Sequence, residues 1–361
     1  MKRIHHILYI ALLGCVCLSS CTEQLDINST DHTISLRAEV ENVMPTTRSS
    51  EDDTQNYAKP VADNSITATV WFSTVQGKFP DGTGTDNPKD ESTNIPGHYV
   101  INFEGEKAVF PNVTEESLRP RYPIPVGNGT VQDVYCVGFY PSTDWTYVKE
   151  NSPSTATHVI TGFEDLMFAP PIQGNWNNHF DRQKFLHLLT WLKVCVCTTT
   201  TEAGNYWGKL KKITLVDVPS GLQINDLSKM QSGYVEANKV TLKSSDISPL
   251  KDEAGKTILH SPDIVDNSSG IEIGINIQDV GSIFCYPQSS YTLKIECENG
   301  IVSKEITLKT LSGGTIDFPA GMQYVLTLYF HPFNVVEGVC TLNAWDAQNE
   351  DLYPDANAPN K

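Results

Sequence analysis

Apolar and polar residues alternate with a period of two along most of this chain, in short runs broken by turn-forming residues. Residues 33–43 set the pattern: Ile34, Leu36, Ala38 and Val40 alternate with Ser35, Arg37, Glu39 and Glu41, as in a strand with one buried face. Residues 65–75 are rich in β-branched and aromatic side chains, which suit a pleated, half-buried surface. Further strands are predicted at 98–103, 107–110 and 131–140, the last closed by Pro141. The run 163–169 ends at Pro170 and Pro171, and 173–178 has loop composition. Residues 183–200 are ambiguous, because Phe185, Leu188, Leu189 and Leu192 would also suit one helical face. The alternation and the tail of Val194, Val196 and threonines favour one long strand. Strands follow at 211–218, 233–242, 271–277, 282–286, 291–298, 302–308, 315–318, 324–330 and 335–345. More than a dozen strands with turn signals between them predict an all-β fold of two tandem antiparallel β-sandwich domains, spanning 49–185 and 186–361. No fixed-period repeat is evident.

The segments between strands add two features. Residues 45–53 (Pro-Thr-Thr-Arg-Ser-Ser-Glu-Asp-Asp) have no apolar period, so the first strand runs directly into an exposed loop that carries one arginine, Arg48. At the head of the chain, Lys2 and Arg3 precede an apolar run from Ile7 to Leu18 and then Ser19-Ser20-Cys21. A basic tip, a short apolar core and small residues before a cut describe a secretory signal, and the core is too short to span a bilayer. The cysteine directly after the small pair resembles a lipobox. Residues 1–20 are then a signal peptide and Cys21 the acylated N-terminus of a lipidated segment, 21–48. Two or more acyl chains anchor a protein stably.

Charge narrows the partners. The formal net charge is −17 and becomes −19 without Lys2 and Arg3, so phosphate-bearing nucleic acid and anionic lipid are disfavoured. Charged residues are only 19%, too few for long Lys/Glu-rich helices. Besides Cys21, the mature chain has Cys136, Cys195, Cys197, Cys285, Cys297 and Cys340. An even count permits three disulfides in fifteen pairings, but five of the six lie in strand-like runs, where cysteine serves as a small hydrophobe. Cys195 and Cys197 share one strand face, without the spacing of a zinc or redox site.

Candidate chemistry is sparse. No nucleophile elbow, phosphate loop or H-E-x-x-H is present. His179, Asp181 and His187 are near one another in sequence, but a strand histidine with a satisfied ring accounts for His187 better than a metal site. Trp71, Trp145, Trp176 and Trp207 would line either a sugar-binding face or the core. Asn112, Asn128 and Asn267 head glycosylation sequons, which carry little weight behind a bacterial lipoprotein signal. The expectation is a non-enzymatic ectodomain with no cofactor and no metal.

Several runs resemble the fimbrillin family of Bacteroidia, the lipoprotein precursors of type V pili. They are residues 135–141 (Tyr-Cys-Val-Gly-Phe-Tyr-Pro), 163–169 (Phe-Glu-Asp-Leu-Met-Phe-Ala), 187–194 (His-Leu-Leu-Thr-Trp-Leu-Lys-Val), and 318–330 followed by 339–345. The resemblance implies two transthyretin-like sandwiches and an outer-membrane lipoprotein delivered to the cell surface and the fimbrium. It further implies an arginine-specific protease that cuts the loop after the first strand, here at Arg48. The groove so opened would take a strand from another pilus subunit by strand addition. One departure is the polar tail 346–361, so either 335–345 is itself the donor or the subunit is an anchor or tip. The rival expectation is a glycan-binding surface lipoprotein.

Overall fold

The computed structural model describes residues 33–40, 66–79, 98–104, 107–111, 119–123, 131–148, 154–236, 239–309, 315–316, 318–333 and 335–343. Its strands begin with β1 (Arg37–Val40), β2 (Thr67–Ser73), β3 (His98–Glu104), β4 (Lys107–Val109) and β5 (Val134–Tyr140). Two strands of another sheet follow, β6 (Thr146–Val148) and β7 (Thr155–Val159), and then β8 (Met167–Gly174) and β9 (Arg182–His187). Seven of these close into a ring in the order β1-β4-β3-β2-β5-β8-β9. Alternate residues of β2, β5, β8 and β9 (Val70, Cys136, Met167, Phe185) fill the interior. Their neighbours Trp71, Val137, Phe168 and Leu186 face outward, and they too are buried. Strands buried on both faces read as nearly continuous apolar runs, which is how β5 (Val-Tyr-Cys-Val-Gly-Phe-Tyr) reads. Gly138 in β5 leaves room for Phe185, whose ring tip would lie 2.8 Å from any added Cβ.

After Leu188 and Leu189 the chain enters β10 (Thr190–Thr198), the helix α1 (Thr201–Trp207), β11 (Leu210–Val216), β12 (Val218–Pro219) and β13 (Gly221–Ile224). Short strands follow: β14 (Val235–Glu236), β15 (Lys239–Val240), β16 (Ile247–Pro249) and β17 (Leu259–His260). The chain ends in β18 (Asp263–Ile271), β19 (Gln278–Cys285), β20 (Ser290–Cys297), β21 (Gly300–Lys309), β22 (Thr315–Ile316), β23 (Met322–His331) and β24 (Val335–Asn343). The sheet β16-β13-β7-β6 covers the outer face of the ring with Ala156, Leu222, Ile224 and Ile247. Two further sheets, β19-β10-β23-β24 and β18-β11-β20-β21-β22, share one core that includes Leu192, Val194, Leu215, Leu293 and Leu326.

Ring and C-terminal sheets meet without a linker. Leu186, Leu188, Leu189, Trp191 and Phe284 belong to one apolar cluster. The Leu188 N–H donates to the Leu166 carbonyl at 2.8 Å, and the Phe284 N–H donates to the Gly162 carbonyl at 2.8 Å. Gly162, at φ +94°, sits so close to Ile283 that a Cβ would lie 2.9 Å from it. The buried Asp165 Oδ2 is 2.7 Å from His187 Nδ1, fixing the end of β9 to the same loop.

The nearly all-β expectation holds, with differences that have physical reasons. Residues 163–169 do not stop at the prolines: β8 runs through Pro170 and Pro171. They fall at a bulge, where the pairing of β5 shifts between Cys136 and Gly138, and a bulge tolerates residues that cannot donate to a ladder. Residues 183–200 are two strands, not one, because β9 belongs to the ring and β10 to a C-terminal sheet; residues 185 and 186 both lie inside β9. Of residues 271–277 only Ile271 is strand. The helix α1 escaped notice because it has only seven residues; the Thr200 hydroxyl caps it by accepting from the Ala203 N–H at 3.1 Å. In place of an open N-terminal sandwich, the first sheet closes on itself.

Candidate functional site

The closure of the ring depends on β1. It pairs antiparallel with β4 at Arg37–Lys107 and parallel with β9 from Arg37–Arg182 to Val40–Phe185. Just before it, Ile34 donates its N–H to the Pro120 carbonyl at 2.8 Å, and Leu36 accepts from the Ala108 N–H at 3.1 Å. Ile34 and Leu36 are each 1% exposed and Ala38 is buried, so the alternation seen in sequence is an alternation into and out of the ring interior. Burying each large aliphatic side chain stabilises by about 1.5–3 kcal/mol. Glu39 on the outer side meets Arg182 Nη1 at 3.1 Å. The strand thus fills a groove between β4 and β9 with three inward side chains and few backbone bonds.

The groove's β9 wall is held by side-chain amides. β9 pairs with β8 only at Met167–His187 and Phe168–Leu186, because Pro171 and Pro170 lie in the stretch where the two diverge. Gln231 stands in for the missing strand: its Oε1 accepts from the Lys184 N–H at 2.8 Å, and its Nε2 donates to the Arg182 carbonyl at 3.2 Å. Inside the ring, buried Gln183 donates from Nε2 to the carbonyls of Cys136 at 3.0 Å and Ala169 at 3.5 Å. Replacing Gln183 with leucine would strand those acceptors and should lower stability by about 2–3 kcal/mol, measured as a shift in the urea midpoint. Sequence reasoning passed over both glutamines: Gln183 sits between charged Arg182 and Lys184 in β9, and Gln231 opens a 3-10 turn, so neither stands out in sequence.

A second element bears on the same chemistry. β24 is the edge of its sheet, paired with β23 over nine residues from Val335–His331 to Asn343–Gln323, and no strand lies on its other side among the described residues. Val336 is buried, with Cys340 partly so, against the C-terminal core.

Cys21 and Arg48 lie outside the described residues, as do Asn112 and Asn128. The three clustered residues serve separate local roles: His187 faces Asp165, His179 packs on the Tyr122 ring at 5.0 Å, and exposed Asp181 accepts from the Arg182 N–H. No group of three or more metal-ligating side chains occurs among the described residues. Trp71, Trp145 and Trp207 are buried and offer no sugar platform. The six cysteines after Cys21 are unbridged, and burial raises the thiols, Cys195 to about 11, which keeps them protonated and unreactive. The Asn267 side chain accepts from the Gly270 N–H and shapes a turn.

No family model matches the sequence, and no curated protein does. Among solved structures, the chain is similar to a proposed cell adhesion protein from Bacteroides uniformis, at 14% identity and a TM-score of 0.50, over 88% of this chain and 99% of that one. It is also similar to a proposed cell adhesion protein from Bacteroides ovatus, at 12% identity and a TM-score of 0.48, over 89% and 100% of the two chains. A fimbrial protein from Bacteroides vulgatus aligns at 10% identity and a TM-score of 0.38, over 86% and 99%. At such identities the likeness concerns the fold.

Proposed function

We propose that this chain is an adhesive or structural subunit of a surface pilus, assembled by replacing β1 with a strand from a neighbouring copy. The observation that carries this reading is that β1 closes the ring while standing apart from its other strands in sequence. β1 and β2 are separated by residues 41–66, so a single cut in that interval detaches β1 without touching any other described strand. Its departure would uncover Phe103, Phe185 and Val70 in the ring core and unpaired edges on β4 and β9, the conditions for strand addition. β24 has the right form for the replacement. It spans nine residues, is an edge strand, and carries Val336, Gly338, Cys340 and Leu342 at alternate positions, against Ile34 and Leu36 just before β1 and Ala38 within it.

On this reading Cys21 carries the lipid that delivers the precursor to the outer membrane, and an arginine-specific protease cuts after Arg48. The chain acts without catalysis, its closed first sheet supplying the groove and its C-terminal sheets the donor strand. The adhesion and fimbrial descriptions of the structural neighbours agree with a role at the cell surface.

Digestion of the purified precursor with an arginine-specific protease, followed by gels and electron microscopy, tests it. The expected result is one early cut after Arg48 and slow growth of a ladder of oligomers. Stable monomers after complete loss of β1 would overturn it.

A further inference from the structure

One end of the C-terminal sheets is unusual for a surface in water. The helix α1, the start of β24, residues 272–277 and the start of β21 converge there. Trp207 Nε1 donates to the His331 carbonyl at 2.6 Å, Asn299 Nδ2 donates to the Tyr206 carbonyl at 3.1 Å, and the Thr198 N–H donates to the Gly274 carbonyl at 2.8 Å. Over this frame stand Tyr206, Ile275, Ile277, Ile301, Phe333 and Val335, six of the fourteen exposed large hydrophobic residues among those described. Phe333 is 83% exposed, packs beside Tyr206 with ring centroids 6.1 Å apart, and has φ +66°. A phenylalanine both solvated and left-handed is unfavourable twice over for folding. Exposed apolar side chains gathered at one end in this way mark an interaction surface.

Its charges indicate the occupant. Glu202, Glu272, Glu298 and Glu337 are exposed at this end. Lys209 pairs with Glu272 and His331 faces Glu337, while neither Glu202 nor Glu298 has an ion-pair partner among the described residues. The opposite sign predominates beside β1: among the described side chains, Lys107, Arg119, Arg121, Arg182 and Lys184 flank the groove and Asp181 is the one exposed carboxylate that stays when β1 leaves. Glu39, one partner of Arg182, belongs to β1 and leaves with it. Such a basic rim is conspicuous in a chain of net charge −17. Reach gives the same answer. β24 hangs from the apolar end, three residues after β23, so if it swings out it does so from there.

We infer that the acidic, apolar end of one copy docks on the basic rim of the first-strand groove of a second copy, holding the two in place while β24 is delivered. This rests on the strand-exchange reading and adds to it a contact that needs no exchanged strand. The interface is heterologous and can repeat from copy to copy.

Two full-length charge variants test it, one reversed at the end (Glu202→Lys with Glu298→Lys) and one at the rim (Lys107→Glu with Arg119→Glu). After arginine-specific processing at low salt, each alone should form ladders at least about tenfold more slowly than the parent. An equimolar mixture should recover the parent rate, because the reversed end of one meets the reversed rim of the other. Salt should erase the differences. Phe333→Asn should slow assembly at every salt concentration while leaving the thermal midpoint unchanged or higher, since asparagine tolerates the left-handed region. Parent-like rates for both charge variants, or a mixture no faster than its components, would overturn the docking. Sedimentation of the uncut proteins separates the two ideas. Salt-sensitive self-association rescued by mixing, with no ladder ever formed, would retain the docking and remove strand exchange. Absence of that association in uncut and processed parent alike would remove the docking.

Discussion

Aspartate in place of Leu36 should release the first strand and produce a precursor that self-associates without any protease. Leu36 lies in the ring interior at 1% exposure, among Ile34, Ala38 and the side chains of β2, β3 and β9. The substitution removes about 1.5–3 kcal/mol of burial and adds several kcal/mol for placing a carboxylate out of water without a partner. The sum exceeds about 4 kcal/mol, more than so short a strand gains from its few backbone bonds. Ser35→Asp is the control, since Ser35 points outward and is exposed. Urea unfolding should show a large loss for Leu36→Asp and almost none for Ser35→Asp, and size-exclusion chromatography should find oligomers only in the first. Equal midpoints for the two would sink the assignment of Leu36 to the groove.

The second large effect is expected at the opposite end. Trp207 is fully buried, meets the Phe330 ring edge-on at 5.5 Å, and donates to the His331 carbonyl. Trp207→Ala should cost about 3–5 kcal/mol through the cavity it leaves. Trp207→Phe keeps most of the apolar volume and should lose only about 1 kcal/mol with the hydrogen bond. Chemical denaturation of the three proteins measures the ratio. If Trp207→Ala unfolds like the parent, the indole does not support the turn between β23 and β24.

How far the sequence was legible depended on whether a pattern was local. The alternation of Ile34, Leu36 and Ala38 is a local fact, and it reports their common orientation into the ring. The ring's closure is not local: β1 pairs with β9, some 145 positions later by the Arg37–Arg182 register, and nothing in either strand names the other. Pro170 and Pro171 announced a stop because proline cannot donate, yet the strand survives where a bulge leaves no ladder bond to lose. The break between β9 and β10 was hidden because Leu188 and Leu189 are as apolar as the strands they join. Alternation misled most at Ile271, Ile273, Ile275 and Ile277, where a strand pattern occurs beyond the end of β18 and only Ile273 is buried. An amphipathic stretch need not face its core throughout: Ile271 and Ile273 pack on the C-terminal core, while Ile275 and Ile277 face solvent. Cys21 and Arg48 lie outside the described residues, and their roles rest on the lipobox pattern and on the family resemblance alone.

The parallel pairing of β10 with β23 has a mechanical side. The two run together for nine residues, from Thr190–Met322 to Thr198–Phe330. β10 is joined to the ring at its first residue, and β23 leads to β24 at its last. If copies are linked end to end as proposed, tension enters β10 at one extremity and leaves β23 at the other. The two strands are then pulled past each other along their length, so the bonds between them share the load at once instead of parting in succession. A filament built this way would meet shear flow with a nine-residue ladder aligned to the pull.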